Sequence, residues 1–269
     1  LYRKPKSERK NLVWWKYDLL YLVFLGLAVY ISIVGMRGGF TRATRPITIS
    51  NANQYVDRPI EAALVLNTPF SIIRTIGVQT FQNVDYYPAE EDLEKVFTPV
   101  HNPLSDIGFR QKNVVVLIVE SFGREYIGAF NRDLENGEYK GFTPFVDSLI
   151  EHSATFRYSY SNGRKSIDGM PSVLSSIPMF VEPFVLTPAS MNRLSGLAGE
   201  LGKKGYSTGF FHGAQNGSMG FQAFARSTGF GGYYGRDEYN ADSRFGGDAD
   251  FDGSWAIWDE PFLQFYCTT

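Results

Sequence analysis

Three residues stand where their types could do chemistry. Glu120 ends the most apolar run of the chain, Asn113–Glu120, which reads Asn-Val-Val-Val-Leu-Ile-Val-Glu. Ser166 sits where the polar stretch Ser161–Lys165 meets a helical pattern, and His212 ends the short apolar segment Tyr206–His212. A carboxylate is a hard oxygen ligand for a divalent cation. A serine hydroxyl is a weak nucleophile until a base or a metal activates it. At the start of a helix it also lies beside backbone N–H groups and a positive dipole end, which favour an anion. Lys165 adds positive charge there, so Ser166 suits attack on a phosphate or sulfate ester. Each residue also has a plainer reading. Glu120 could be a loop residue or a helix cap, Ser166 an N-cap, and His212 a hydrogen-bonded histidine of the interior. Residue types alone leave both readings open.

The elements that must position these side chains follow from the apolar pattern. A continuous β-branched run such as Asn113–Glu120 predicts a strand buried on both faces, as in a parallel sheet. Phe142–Ile150 predicts a helix with Thr143 as cap and Pro144 at the first helical position. Ala154–Tyr160 reads as a second strand. Ile167, Met170, Val173, Leu174 and Ile177 recur at helical spacing, with Pro171 tolerated in the first turn. Leu194–Lys204 reads as a further helix ended by Gly205, and Tyr206–His212 as a third strand. Strands alternating with helices predict an α/β sandwich around a mainly parallel sheet. In such sheets ligands gather at the carboxyl ends of strands, so Glu120, Ser166 and His212 could face one crevice. Gly217–Gly253, rich in Gly, aromatic residues and Asp, reads as long loops. Asp259 reads as the cap of a last helix at Glu260-Pro261.

Ahead of this domain lies a different kind of segment. Arg3, Lys4, Lys6, Arg9, Lys10 and Lys16 precede the apolar run Leu19–Met36, with Trp14, Trp15 and Tyr17 at its entrance. The run is near the lower length limit for a membrane-spanning helix, and amphipathic rings favour the interface. Charge before the run places residues 1–18 in the cytoplasm and the remainder outside. No small-x-small cleavage site follows Met36, which favours a retained helix over a signal peptide. Residues 37–110 read as an extracytoplasmic connector with short helices at Pro59–Leu66 and Pro69–Gly77, and residues 111–269 as the N-terminal part of a catalytic domain truncated at its C-terminus. The chain has 269 residues and a formal net charge of −2. That balance gives no support for a nucleic-acid partner, which calls for a strongly basic face. The single cysteine, Cys267, excludes an intrachain disulfide. The absent initiating Met and the helical pattern broken off at Leu263–Thr269 read as the ends of a fragment.

Val114–Ser121, Phe142–Ile150, Ser161–Ile177 and Phe211–Phe230 together resemble the sulfatase-like domain of the lipoteichoic acid synthase family, in the alkaline phosphatase superfamily. The resemblance covers roughly Lys112 to Thr269. It implies an alkaline phosphatase-like fold and one divalent cation, with manganese first and magnesium or zinc as alternatives. It implies that Glu120 binds that metal. The family's Lys-Thr-Ser-Asp segment corresponds to Lys165-Ser166-Ile167-Asp168, so Ser166 stands where the family has its catalytic, metal-binding threonine. His212-Gly213 corresponds to a substrate-pocket motif. Where the synthases continue to a Trp and an Arg that contact glycerol phosphate, this chain has Met219 and Phe221, which puts the phosphoglycerol group in doubt. The family's Asp-His pair has no counterpart among His101, His152 and His212, and is expected beyond Thr269. A formylglycine sulfatase needs Cys or Ser followed by x-Pro-x-Arg, which neither Ser166 nor Cys267 has.

The resemblance implies a metal-dependent transferase in a bacterial plasma membrane. It moves a phospho-alcohol, phosphoglycerol-like head group from a membrane phospholipid to a cell-envelope glycan or lipid acceptor through a covalent Ser166 intermediate. Two alternatives stay open: a phosphoethanolamine transferase or sulfatase-like ester hydrolase, and a membrane-anchored binding module that has lost catalysis.

Overall fold

The computed structural model describes residues 14–37, 52, 55–56, 61–77, 86–98, 108, 110–156 and 158–269. Arg3, Lys4, Lys6, Arg9, Lys10, Pro59 and His101 lie outside them.

Helix α1, Trp14–Arg37, is 24 residues long. It begins before the apolar run and includes Lys16 and Tyr17. At about 1.5 Å per residue it is long enough to cross a bilayer. Its stretch Trp15–Met36 is strongly apolar beyond Lys16 and Asp18, and none of it is buried among the described residues. A helix of that length and composition is compatible with a membrane anchor. It is the one helix among the described residues long and apolar enough to span a membrane.

Short helices follow: α2 Ala62–Val65, α3 Thr68–Thr75 and α4 Glu90–Val96. Pro69 falls in the first turn of α3, and the Asn67 side chain caps it by accepting from Phe70 N–H at 2.8 Å. Helix α5, Pro144–Ile150, starts on its proline, but Thr143 gives it no side-chain cap bond. Helix α6 spans Ser166–Ser175 and carries Pro171. Helix α7, Leu197–Gly202, is shorter than the pattern Leu194–Lys204 predicted, and Gly205 ends the turn after it at φ +86°.

The class is α/β, and its sheet is parallel. Strands β1, Gly209–Phe211, and β2, Gly232–Tyr234, pair in register Phe210 to Tyr233 and Phe211 to Tyr234. Both cross-strand pairs stack, with ring centroids 5.6 and 4.4 Å apart. Side chains alternate faces along a strand, so the two stacks serve opposite sides. Phe210 and Tyr233 pack on one core, built from Ile167, Met170 and Leu174 of α6, from Phe184 and Val185, and from Phe221 and Phe224. Phe211 and Tyr234 pack on a second core of Tyr239, Ile257, Phe262 and Phe265. Each fully buried large apolar side chain contributes about 1.5–3 kcal/mol, so the two clusters anchor the sheet from both faces.

The connection between the strands carries helix α8, Phe221–Ser227. Its end is held by close approach to α7. Gly229, at φ +89°, lies so near Gly199 that an added Cβ would come within 2.7 Å of the Gly199 Cα, and Gly199 N–H donates to Thr228 O at 3.0 Å. Helix α9, Arg236–Ala241, follows β2, and α10, Asp259–Thr268, closes the described chain. Gly217–Gly253 therefore holds β2, α8 and α9, not only loops. Short elements with glycines between them lack the periodicity that a longer helix shows. Asp259 is the first residue of α10, whose N-cap is Trp258.

Two predicted strands do not form. Residues 111–119 have no regular structure, and Val114–Val119 are exposed. Within Ala154–Tyr160 no strand occurs among the described residues, and Phe156, Tyr158 and Tyr160 are exposed. A strand exists only through the ladder a neighbour provides, and among the described residues β1 and β2 pair with each other alone. Lys112 N–H does bond the Tyr206 hydroxyl at 3.0 Å, which ties the start of the apolar run to the segment leading into β1.

Candidate functional site

Ser166 is the first residue of α6, and Lys165, with extended backbone, is the N-cap. No side chain caps this helix, so Ser166 is not its N-cap and its hydroxyl is not spent on a capping bond. The side chain is half-buried, while its neighbours Ile167 and Asp168 are buried. The hydroxyl thus sits at the edge of the core, at the positive end of a ten-residue helix. Free N–H groups of a first turn favour an anion there.

The preceding turn is tightly specified. Gly163 has φ +106° and lies flat on Asp168, so that an added Cβ would come within 2.4 Å of the Asp168 Cβ. One Asp168 carboxylate oxygen accepts Arg164 N–H at 3.3 Å. The Asn162 side chain accepts from Met179 N–H at 3.0 Å, and the Ser161 hydroxyl donates to Gly163 O at 3.0 Å. The sequence alone assigns Asp168 no role. Its signal there was only a carboxylate in a helix first turn, the ordinary place for one.

His212 follows β1 directly, and its N–H donates to Tyr234 O at 3.0 Å, extending the ladder by one bond. Its ring packs on Phe221, with centroids 4.7 Å apart, and the Tyr233 hydroxyl lies 3.5 Å from Nδ1. Burial pushes the imidazole down to about 4, so it is neutral near pH 7. Burial also raises the Tyr233 phenol, with the Glu238 and Asp237 carboxylates acting in the same direction. A neutral imidazole beside a protonated phenol can donate or accept a proton; it offers no fixed positive charge.

Ser166 and His212 belong to one packed unit. Ile167, next to Ser166, and Phe221, against the His212 ring, are members of the same core. Met219 packs on that core with φ +52°, between Gly217 at +79° and Gly220 at +74°. A left-handed non-glycine residue is strained, and such strain collects around sites. Ser121, at φ +53° immediately after Glu120, is another, as are Glu135, Asn136 and Ser176 away from these side chains.

Glu120 stands apart. It is exposed in a turn and caps no helix; the 3-10 turn that follows, Arg124–Tyr126, has Gly123 at its cap position. Among the described residues no three His, Cys, Asp or Glu side chains come together as a metal site. Glu120 has the oxygen-donor chemistry a divalent cation wants, and Ser166 can add a hydroxyl. Among the described residues Glu120 belongs to no group of three such side chains.

Residues 112–265 match the sulfatase family. The chain belongs to the sulfatase family. Ser166, His212 and Glu120 all fall within the matched residues. Members of the sulfatase and alkaline phosphatase superfamily are ester-cleaving or group-transferring enzymes that typically use a divalent metal. A crystal structure of a protein in the alkaline phosphatase superfamily from Vibrio parahaemolyticus is similar at 22% identity with a TM-score of 0.41. The match covers 52% of this chain and 32% of that one, so this sulfatase-family chain spans about a third of that structure's length.

Proposed function

We propose that this protein is a membrane-anchored phosphotransferase of the sulfatase family that works through Ser166. The observation that carries the reading is the placement of Ser166: first residue of a helix, hydroxyl uncommitted, at the edge of the core that also packs His212. The Ser166 oxygen attacks the phosphorus of a phospholipid phosphodiester, the bond to the lipid alcohol breaks, and the alcohol leaves with a proton. An acceptor hydroxyl of the cell envelope, or water, then attacks the Ser166 phosphoester and frees the serine. Backbone N–H groups of the α6 first turn stabilise the negative charge of the phosphoryl oxygens in both steps. His212, neutral at pH 7, donates or accepts one proton at the head group. Glu120 and Ser166 would hold a divalent cation, manganese first and magnesium or zinc as alternatives. Bound there, it supplies charge neutralisation and a lowered hydroxyl pKa. Helix α1 would anchor the chain in a bacterial plasma membrane with the catalytic domain outside the cytoplasm, within reach of a lipid donor.

The wall beside His212 favours a particular head group. Phe221 is buried against the imidazole, and Met219 packs on the same core. Neither can hydrogen-bond a glycerol hydroxyl, which supports phosphoethanolamine transfer or plain ester hydrolysis over phosphoglycerol transfer.

The test uses the full chain in vesicles of phosphatidylethanolamine and phosphatidylglycerol with each metal in turn. Metal-dependent release of diacylglycerol, faster from phosphatidylethanolamine, is expected. Cleavage of 4-nitrophenyl sulfate without lipid turnover would contradict the reading in favour of a sulfatase. Binding of lipid with no turnover of either ester would favour the catalytically dead binding module.

A further inference from the structure

Asp168 is buried, with 3% of its surface exposed. One of its carboxylate oxygens takes Arg164 N–H; the other is buried without a hydrogen-bond partner among the described residues. Burying a carboxylate oxygen without a partner costs free energy. The position in the helix first turn offsets part of that cost through the dipole. The geometry around it is closed: Gly163 packs on the Asp168 Cβ from above, and Ile167 and Met170 continue into the core below. The Gly163–Lys165 turn is therefore draped over this one side chain, and Ser166 is the residue at which the turn enters α6.

We infer that Asp168 is a positioning residue for Ser166. Its carboxylate holds the Arg164 N–H and fills the space under Gly163, so the turn delivers Ser166 to the first helical position with a free hydroxyl. This inference rests on the reading of Ser166 as nucleophile. It concerns geometry, not charge: an oxygen acceptor of the same size at that point suffices. Asn retains such an acceptor, and Ala does not.

The experiment measures kcat and KM of the full chain with bis(4-nitrophenyl) phosphate and manganese, alongside exchange of the Arg164 amide proton. Asp168→Ala is expected to lower kcat about 100-fold, the scale for a displacement near 1 Å, with KM within about twofold. Asp168→Asn restores kcat to within about tenfold of the parent. Gly163→Ala, which pushes on the same side chain, reproduces the kcat loss and adds little in the Asp168→Ala background, as residues acting through one contact do. Arg164 amide protection falls in Asp168→Ala and is kept in Asp168→Asn. If Asp168→Ala does not fold, the Asp168→Asn and Gly163→Ala pair decides. A kcat for Asp168→Ala or Gly163→Ala within twofold of the parent, with Ser166→Ala inactive, would overturn the positioning role and leave the nucleophile standing. Turnover by Ser166→Ala would instead overturn the nucleophile and with it this inference. Where no variant turns over, unchanged Arg164 protection in Asp168→Ala overturns the proposal, and its loss supports the holding contact.

Discussion

At the scale of single residues, position and hydrogen-bonding state separate a functional side chain from a structural one. Ser166 does not cap its helix, so Ser166→Ala should change stability by less than about 0.5 kcal/mol, as surface substitutions away from such features do. An unfolding midpoint shifted by several degrees would show that the hydroxyl is structural after all. His212 makes a second prediction through its protons. Unfolded, an imidazole titrates near 6.5; folded, burial holds His212 down to about 4. Between these values the unfolded state binds more protons, so stability falls as pH falls from about 6.5 to about 4 and levels below that. The full effect is on the order of 3 kcal/mol. His212→Gln removes it. Urea unfolding at pH 7 and pH 4.5 should show the parent losing more stability than the variant; equal losses would mean that the ring is hydrated in the folded state.

At the scale of elements, the helix after Ser166 ends at a strained residue. Ser176 sits at the C-cap of α6 with φ +54°, where glycine has no steric cost. Ser176→Gly should stabilise the protein by about 0.5–1 kcal/mol without altering turnover. Destabilisation would show that the Ser176 side chain makes up for its backbone. The helical elements were legible in the sequence where a proline or a long apolar stripe marked them: Pro69 in α3, Pro144 in α5, and Ile167, Met170 and Leu174 in α6. Of the predicted strands, Tyr206–His212 holds β1, Gly209–Phe211; the others were misread, because a strand depends on its partner. Asn113–Glu120 has the composition of a buried strand and lies exposed, whereas Gly232–Tyr234 looked like loop and forms half of the sheet. Of the candidate site, Glu120 lies exposed in a turn, while Ser166 and His212 were legible as residues at element ends and both adjoin one core. Asp168 was not, since a carboxylate in a first turn looks like an ordinary dipole partner until its burial is seen. The exposed run Val114–Val119 carries its own prediction. Six β-branched or aliphatic residues in a row, uncharged and without proline, are prone to associate. Val115→Lys with Leu117→Lys should lower aggregation, read by light scattering, and leave the unfolding midpoint unchanged; a fall in midpoint would show that the run is packed.

At the scale of the whole molecule, an apolar helix and a sulfatase-family domain lie on one chain, and the functional proposal depends on their arrangement about a membrane. Six basic residues precede Leu19, and they favour the cytoplasmic side. A phosphatase reporter fused after Gly108 should be active only outside the cytoplasm; activity inside would remove the domain from its lipid donor. The central claim is chemical, and its most direct measurement is the covalent intermediate. The full chain is mixed with phosphatidylethanolamine vesicles and manganese, quenched in acid within seconds, and digested for mass spectrometry. The peptide containing Ser166 should carry a phosphoethanolamine adduct, lost when acceptor or time is added and absent in Ser166→Ala. Lipid turnover with Ser166 unmodified, or turnover that persists in Ser166→Ala, would contradict the account.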